Sequence, residues 1–134
     1  MEPLVALRLR MDVLLSIACF AVLGAWTRYA QSLLVQRWLG RGFPYATLSI
    51  NLLGSLLMGL LFFATSGRMD PTLRTGLLTG GLGTYTTFST FSLEVVTLLE
   101  NRESAKAIGY ALVSVLGGVA AAALGALLAR GVLP

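Results

Sequence analysis

Long runs of apolar residues, separated by short polar segments, fill most of this 134-residue chain. A helix needs about 20 mostly apolar residues to cross a bilayer, and four runs reach that length. They predict membrane-spanning helices over residues 13–35, 46–66, 75–99 and 107–129. The polar connections are short, so successive helices are expected to be antiparallel neighbours. An even number of spans then places both termini on the same side of the membrane.

Composition points to an all-α membrane protein. Apolar residues make up 56% of the chain and charged residues only 12%, and the mean hydropathy is +0.80. A soluble domain carries about a quarter charged residues. We therefore expect one transmembrane domain over residues 1–134, in contact with lipid and multi-pass in the cell membrane (an inner or plasma membrane). The four runs leave no room for a separate catalytic domain.

The sequence disfavours two other functional classes. The chain has no histidine, and it shows no nucleophile–base pair and no cluster of metal-ligating side chains, so we do not expect an enzyme. The net charge is +4, but the basic residues lie mostly at the ends of apolar runs, where they anchor helices at headgroups. We therefore expect no nucleic-acid partner.

The basic residues give almost no preference for one orientation in the membrane. The side that holds the termini has five of them: Arg8, Arg10, Arg68, Arg74 and Arg130. The other side has four: Arg37, Arg41, Arg102 and Lys106. Orientation follows the Lys/Arg bias between the two sides, so this balance predicts insertion in both orientations. That a single charge, or the insertion context, decides the orientation is the open alternative.

The third apolar run is a poor continuous helix. Four glycines fall within eight positions (Gly76, Gly80, Gly81 and Gly83), followed by Thr84, Thr86 and Thr87. Each interior glycine costs about 1 kcal/mol relative to alanine, and lipid cannot satisfy freed backbone groups. We predict a broken third helix, with half-helices over 75–82 and 87–99 and residues 83–86 unwound. Unwound carbonyls can hold a cation, and half-helix N-termini can face an anion; the alternative is a glycine-rich helix packed tightly on a neighbour.

Polar and aromatic residues near this predicted break are candidates for an ion pathway. Phe88 and Phe91 share a helical face, and the positive edge of a ring can face an anion; the alternative for both is packing. Asn51 lies in an apolar stretch, where a polar side chain lines a pathway or joins helices. Tyr110 and Ser114 share a face of the fourth span.

Two charged residues fall within the predicted spans. Arg28 is compatible with snorkelling or with raising the anion concentration at a pore mouth. Glu94 is the only carboxylate within the last three spans.

Small residues on the second and fourth spans mark faces for close helix contact. They are Gly54, Ser55 and Gly59 on the second span, and Gly117, Gly118, Ala121 and Gly125 on the fourth. Packing within one chain and a seam between two chains are both open. Because the chain is small, we expect at least some of these faces to pack between subunits.

These residues resemble the Fluc family of fluoride channels, also called CrcB. The most specific piece runs from Gly83 to Ser92 and ends in the letters TTFSTFS. Supporting pieces are Gly24-Ala25-Trp26-Thr27-Arg28, Asn51-Leu52-Leu53-Gly54 and Tyr110. The match covers the whole chain in element order. It departs from the family pattern at Thr84, where the family often has a second glycine, and at Gly118, where it often has a serine.

The resemblance implies an antiparallel, dual-topology homodimer with two narrow fluoride pathways. It also implies a structural sodium ion (Na+) at the dimer centre, held by the backbone carbonyls of Gly83 and Thr86. The residues implied for the fluoride pathway are Asn51, Phe88, Ser89, Thr90, Phe91, Tyr110, Ser114 and Arg28.

We therefore expect a fluoride-selective channel that exports fluoride passively and lowers its cytoplasmic concentration. The alternative is a small dimeric proton-coupled exporter of cations or drugs, which would need a membrane carboxylate, and Glu94 is the candidate. A membrane scaffold is a third class, but it gives no reason to break a helix beside threonine and phenylalanine residues.

Overall fold

The computed structural model describes the backbone of residues 2–132 and the side chains of residues 10–131, which leaves the Arg8 side chain outside the description. Within that range the backbone is helical or in turns, with no strand. The elements in chain order are α1 (Glu2–Leu39), α2 (Tyr45–Ala64), α3 (Pro71–Thr75), a π-helical segment called π1 (Gly76–Leu82), α4 (Gly83–Tyr85), α5 (Phe88–Glu100) and α6 (Ser104–Val132).

Three helical stretches are long and apolar enough to cross a membrane: Arg10–Leu39, Tyr45–Ala64 and Ser104–Gly131. The 38 residues of α1 extend over about 57 Å at 1.5 Å per residue, well beyond the predicted span 13–35. The region predicted as the third span consists of four shorter pieces, α3, π1, α4 and α5. The all-helical expectation is confirmed, and the helical regions fit the four helices that the sequence predicts.

The turns between these helices follow from local backbone chemistry. Gly40 and Gly67 have φ of 76° and 69°, a left-handed conformation that glycine adopts without steric cost. Asp70 begins α3, because its carboxylate accepts hydrogen bonds from Thr72 N at 2.9 Å and Leu73 N at 3.0 Å. Pro71 follows at the first helical position, where its missing N–H is not needed. The chain therefore reverses direction sharply before the third region.

Glycines let α1 lie directly on π1. A Cβ atom at Gly24 of α1 would overlap Gly81 O and Thr84 Oγ1, and a Cβ atom at Gly80 of π1 would overlap Ile17 O. Thr84 Oγ1 donates to Gly80 O at 2.5 Å and also lies 3.1 Å from Ala21 O of α1. The backbones approach each other this closely only because glycine has no side chain, as in other membrane helix contacts.

The structure corrects the position of the unwound residues. The sequence predicts them at 83–86, but Gly83–Tyr85 is helical, so that part of the prediction is wrong. Gly83 has ordinary helical angles, φ −63° and ψ −36°, because glycine permits other conformations without requiring them. The extended residues are Thr86, with ψ 160°, and Thr87, with φ −151°.

The small residues of α2 and α6 pack within one chain. A Cβ atom at Gly59 of α2 would overlap the backbone of Ala122, and one at Gly125 of α6 would overlap the backbone of Leu56 and Leu60. At these glycines the close contact is intramolecular. This pairing fixes α6 against α2 and leaves much of α6 exposed, including Leu116 and Val119.

The buried core is small and lies in two clusters around the extended pair. One consists of Ile50, Leu78, Leu82 and Tyr85. The other consists of Phe91, Leu98, Ala107 and Tyr110. Many large apolar side chains elsewhere are exposed, including Leu14, Leu23 and Leu127. An apolar surface of this extent suits lipid or a protein partner.

Candidate functional site

The extended residues Thr86 and Thr87 are held by Asn51 of α2. Asn51 Nδ2 donates to Thr87 O at 3.0 Å, and Thr87 N donates to Asn51 Oδ1 at 2.8 Å. One side-chain amide thus pairs with both backbone groups of Thr87, as a neighbouring strand would. This explains how extended backbone persists among helices, since freed backbone groups need a protein partner where water is excluded.

The same geometry changes the surroundings of two carbonyl oxygens. In a continuous helix Thr87 N would donate to Gly83 O and Thr90 N to Thr86 O. Here Thr87 N donates to Asn51 instead, and Thr90 N donates to Thr87 Oγ1 at 3.2 Å. The carbonyls of Gly83 and Thr86 therefore lose the donors that a continuous helix would give them. Such carbonyls are the groups that coordinate sodium in broken membrane helices, so the residues present fit that ion.

A cavity of about 430 Å³ lies beside the extended pair, between α2 and α6. Its polar lining consists of Asn51, Ser55, Thr86, Thr87 and Ser114, and its aromatic lining of Phe88 and Phe91. The Ser114 hydroxyl is buried and has no hydrogen-bond partner among the residues described. A buried hydroxyl normally has a partner, which indicates that Ser114 is available to a small polar ligand or water. We call this space the inner cavity.

The two phenylalanines at the inner cavity have different environments. The Phe88 side chain is 77% exposed, whereas Phe91 is only 9% exposed. Their ring centroids are 5.5 Å apart, and the ring planes are inclined at 44°. Phe91 is fixed by packing, while Phe88 at the start of α5 is open to the surroundings of the single chain.

Three aromatic rings pack in a row from Phe91 through Tyr110 to Phe43, which lies in the connection between α1 and α2. The Tyr110 ring packs edge-on against Phe91 at 5.2 Å and against Phe43 at 5.6 Å. Tyr110 is completely buried. Edge-to-face packing at these distances is the favoured arrangement of aromatic rings. The positions of Phe91 and Tyr110 are therefore coupled.

Tyr110 also fixes the carboxylate of Glu94. Its hydroxyl donates to Glu94 Oε2 at 2.7 Å, and Thr47 Oγ1 donates to Glu94 Oε1 at 2.8 Å. Both carboxylate oxygens thus accept a hydroxyl hydrogen bond, which fixes the orientation of the Glu94 side chain.

A second cavity of about 720 Å³ opens at the end of the molecule that carries the α1–α2 connection, and we call it the outer cavity. Thr90 and Glu94 lie on its lining together with Arg41 and Lys106. Lys106 pairs with Glu103 at 2.5 Å. The outer cavity thus has mixed charge.

The structure brings together most of the residues expected on an ion pathway. Asn51, Phe88, Phe91 and Ser114 line the inner cavity, and Thr90 lines the outer one. Tyr110 lies beside both through its contacts with Phe91 and Glu94. Ser89 is exposed, with its hydroxyl 3.4 Å from Thr87 Oγ1. Arg28 is half-buried on α1 and is not among the residues that line these two cavities.

Some residues at the site were not identified from the sequence. Ser55 lines the inner cavity and lies opposite Gly118, where a Cβ atom would be 3.6 Å from Ser55 Oγ. Thr47 holds Glu94, and Arg41 lines the outer cavity. A helical period would have placed Thr47, Asn51 and Ser55 on one face of α2, because they are four residues apart. No comparable sequence signal marks Arg41.

Comparison with known proteins finds close relatives. Residues 15–126 match the family described as "CrcB-like protein, Camphor Resistance (CrcB)". A protein of Acidithiobacillus ferrooxidans (strain ATCC 53993 / BNL-5-31) is 62% identical over 112 residues, which cover 82% of this chain and 90% of the relative. A protein of Magnetococcus marinus (strain ATCC BAA-1437 / JCM 17883 / MC-1) is 47% identical, with 85% and 94% coverage. Both carry the name "Fluoride-specific ion channel FluC".

Proposed function

The chain belongs to the CrcB family, and from that premise we propose that it is a fluoride-selective channel that exports fluoride passively across a membrane. The observation that carries this proposal is the composition of the inner cavity. One space is lined by the Asn51 amide, the Ser114 hydroxyl and the rings of Phe88 and Phe91. All of these groups can face an anion, and none of them carries a full positive charge.

Fluoride is small and strongly hydrated, so a pathway must replace its water with donors at successive positions. Ser114, Asn51 and the phenylalanine rings are weak donors of this kind. Conduction needs binding that is strong enough for entry and weak enough for release. No Lys or Arg is among the residues that line the inner cavity, so no cationic side chain there would trap the anion.

The start of α5 adds a favourable electrostatic contribution at the inner cavity. The first N–H groups of a helix lack carbonyl partners within it, and the helix dipole gives that end a partial positive charge. Thr87 caps this helix, and Phe88 is its first residue. An anion beside Phe88 therefore meets the positive end of α5.

The route that we propose joins the two cavities. Fluoride would pass from the outer cavity, beside Thr90 and Glu94, along Tyr110 and Phe91 to the inner cavity. Ser89 and Phe88 then lie on the exposed side of the same helix start. In this proposal Arg28 acts on the local anion concentration from outside the two cavities.

We further propose that the functional unit is an antiparallel homodimer in the cell membrane, surrounded by lipid. The inner cavity is open, and Phe88 is largely exposed in a single chain. A second copy against this face would enclose the cavity and cover Phe88. The near balance of five and four basic residues on the two sides supports insertion in both orientations, and the third helical region would complete four spans.

Sodium is proposed as a structural ion of that dimer. The carbonyls of Gly83 and Thr86 would hold it, because both lose their helical donors at the extended pair. When bound, the ion would supply fixed positive charge and satisfy exposed carbonyl oxygens. The residues around it keep the backbone in place, with Asn51 pairing Thr87 and the Thr84 hydroxyl donating to Gly80 O of the preceding turn.

The exporter alternative gains no support from Glu94. Its two oxygens already accept hydrogen bonds from Thr47 and Tyr110, so it is not an uncompensated carboxylate awaiting a cationic drug. If Glu94→Gln abolished drug resistance while fluoride sensitivity stayed normal, the exporter reading would replace the channel reading.

Fluoride efflux from liposomes that contain the purified protein tests the proposal. The internal and external solutions have equal pH and equal sodium, so neither gradient can drive transport, and a potassium ionophore lets K+ leave with fluoride so that charge stays balanced. We expect rapid fluoride efflux and little chloride efflux from matched liposomes. Protein-free liposomes give the background, and fluoride efflux no faster than that background would overturn the channel assignment.

A further inference from the structure

Gln31 of α1 joins two other helices through a directional chain of hydrogen bonds. Its Nε2 donates to Ser49 Oγ of α2 at 3.1 Å, and its Oε1 accepts the hydroxyl hydrogen of Tyr85 in α4. Ser49 Oγ in turn donates to Ala46 O at 2.9 Å. Because the Ala46 carbonyl can only accept, Ser49 must donate to it and accept from the Gln31 amide nitrogen. The Gln31 oxygen then accepts from Tyr85, so the direction of each hydrogen bond is fixed.

Tyr85 is the member of this hydrogen-bond chain that lies next to the proposed ion site. Its side chain is 5% exposed, and the residue directly precedes the extended Thr86. A Cβ atom at Gly54 of α2 would lie 3.2 Å from the Tyr85 ring and would overlap the Thr86 methyl group. The ring is therefore confined by α2, while the hydroxyl is held by Gln31 of α1.

The backbone of Tyr85 lies between the two carbonyl groups of the proposed ion site, those of Gly83 and Thr86. A rotation of the α4 turn would swing the Tyr85 hydroxyl away from Gln31, turn the Gly83 carbonyl and displace the attached Thr86. Holding the hydroxyl thus fixes the direction in which those carbonyls point. Pre-organised ligands bind an ion more tightly, because less conformational freedom is lost on binding.

We propose that Gln31 is a positioning residue for the sodium site and acts through the Tyr85 hydroxyl. Gln31 lines neither cavity and does not touch the permeating anion on the proposed route. The inference rests on the proposed function, because it concerns the same dimer and the same ion. It adds a residue that neither the TTFSTFS segment nor the glycine pattern indicates.

The test measures the Tm of the purified dimer in detergent against sodium concentration, at constant ionic strength and without fluoride. Gln31→Met keeps the length of the side chain and removes its amide. Tyr85→Phe removes only the hydroxyl. Tyr29→Phe is the matched control, because Tyr29 also lies on α1 and is 67% exposed. The double variant Gln31→Met/Tyr85→Phe completes the cycle.

We expect sodium to raise the Tm of the unchanged protein. Gln31→Met and Tyr85→Phe should each raise, by threefold or more, the sodium concentration that gives half of the full increase in Tm. Tyr29→Phe should leave that concentration unchanged. The double variant should shift it no more than the larger single change, because both substitutions remove the same Gln31–Tyr85 hydrogen bond. If Gln31→Met does not fold, Tyr85→Phe alone decides.

Two results would overturn the inference, and they are distinguishable. A lower Tm at every sodium concentration with an unchanged half-effect concentration would make Gln31 an ordinary packing residue, while the sodium proposal stands. If the Tm of the unchanged protein did not depend on sodium, the sodium site and the role of Gln31 would both be wrong. The liposome assay would still decide the channel function separately.

Discussion

Phe88 and Phe91 occupy the same face of α5, yet their surroundings differ sharply. Phe91 is packed against Tyr110, whereas the Phe88 ring is mostly exposed in the single chain. The spacing of three residues indicated a shared face, but it could not indicate which ring is fixed. Their roles in conduction should therefore separate when stability and flux are measured together.

We predict that Phe88→Ile lowers fluoride flux at least tenfold with little change in stability. Phe91→Ile should lower flux similarly and also reduce the free energy of unfolding by about 1–3 kcal/mol, because it changes the shape of a packed core position. Both variants should still form dimers. Liposome efflux, chemical denaturation and size-exclusion chromatography measure the three properties, with Leu99→Ile on the same helix as the control. Flux equal to that of the unchanged protein in both variants would make the rings packing residues only.

Asn51 has a role that its polar character alone did not determine. The sequence left pathway and helix contact open, and the structure shows its amide pairing with both backbone groups of Thr87. It thus maintains the extended pair while its side chain lines the inner cavity. The two readings apply to one residue because a side-chain amide has several donor and acceptor positions.

We predict that Asn51→Ala destabilises the protein by about 1–3 kcal/mol for each backbone group left unpaired and nearly abolishes flux. Asn51→Asp keeps an acceptor for Thr87 N and loses the donor to Thr87 O. Its stability should therefore fall between that of Asn51→Ala and that of the unchanged protein. Denaturation midpoints and liposome efflux check this order. Equal stability of Asn51→Ala and the unchanged protein would show that the pairing is not needed.

At the scale of elements, π1 and α1 form the closest helix contact in the third region. The glycine pattern predicted weak helix propensity there and left tight packing as the alternative. The structure combines these readings, with tight packing along π1 and extended backbone only at Thr86 and Thr87. A sequence does not distinguish a glycine that permits close approach from one that ends a helix, because both need the absence of a side chain.

We predict that Gly24→Ala prevents stable assembly, because its Cβ atom would overlap the Gly81 carbonyl and the Thr84 hydroxyl. The matched control is Gly109→Ala on α6, where no heavy atom of the described chain lies within 4 Å of the added Cβ. That change should be neutral or should stabilise by about 0.5–1 kcal/mol through helix propensity. The yield of dimer after detergent extraction measures both. Normal yield for Gly24→Ala would contradict the close contact.

At the scale of the whole molecule, the exposed apolar surface and the balanced charges bear on assembly. Helices α1, α2 and α6 have much of their apolar surface exposed, as expected for a chain that faces lipid and a second copy. The cation–π contacts of Arg74 with Phe62 and of Arg130 with Phe63, at 4.7 Å each, hold two of the basic side chains at the end that carries the termini.

We predict that C-terminal reporters will detect both orientations in the same cells. One reporter is active only on the cytoplasmic side of the membrane and the other only on the opposite side, and both should give signal. Signal from one reporter alone would contradict dual insertion.

The double variant Arg37→Gln/Arg102→Asn leaves five basic residues against two and should shift the chains to one orientation, with loss of fluoride resistance. Asn suits position 102, where φ is 61°, because Asn tolerates the left-handed region. Unchanged resistance together with a single orientation would contradict an antiparallel functional dimer.

The sequence by itself determined that the chain is a membrane protein, that it is helical, and which family it belongs to. Length of apolar runs, scarcity of charge and the TTFSTFS segment are local properties, and they do not depend on how the helices pack. It also indicated Asn51, Phe88, Phe91 and Ser114, because polar and aromatic residues stand out within apolar runs. These four residues line one cavity in the structure.

Only the tertiary structure decided where the backbone is extended and what holds it there. Gly83–Tyr85 is helical and lies close to α1, with Thr84 Oγ1 3.1 Å from Ala21 O, whereas Thr86 and Thr87 are extended where Asn51 of α2 pairs with Thr87. The Gln31–Tyr85 contact joins residues 54 positions apart in the chain. Hydrogen bonds between distant segments leave no periodic pattern in a sequence, so the partners become known only when the helices are packed together.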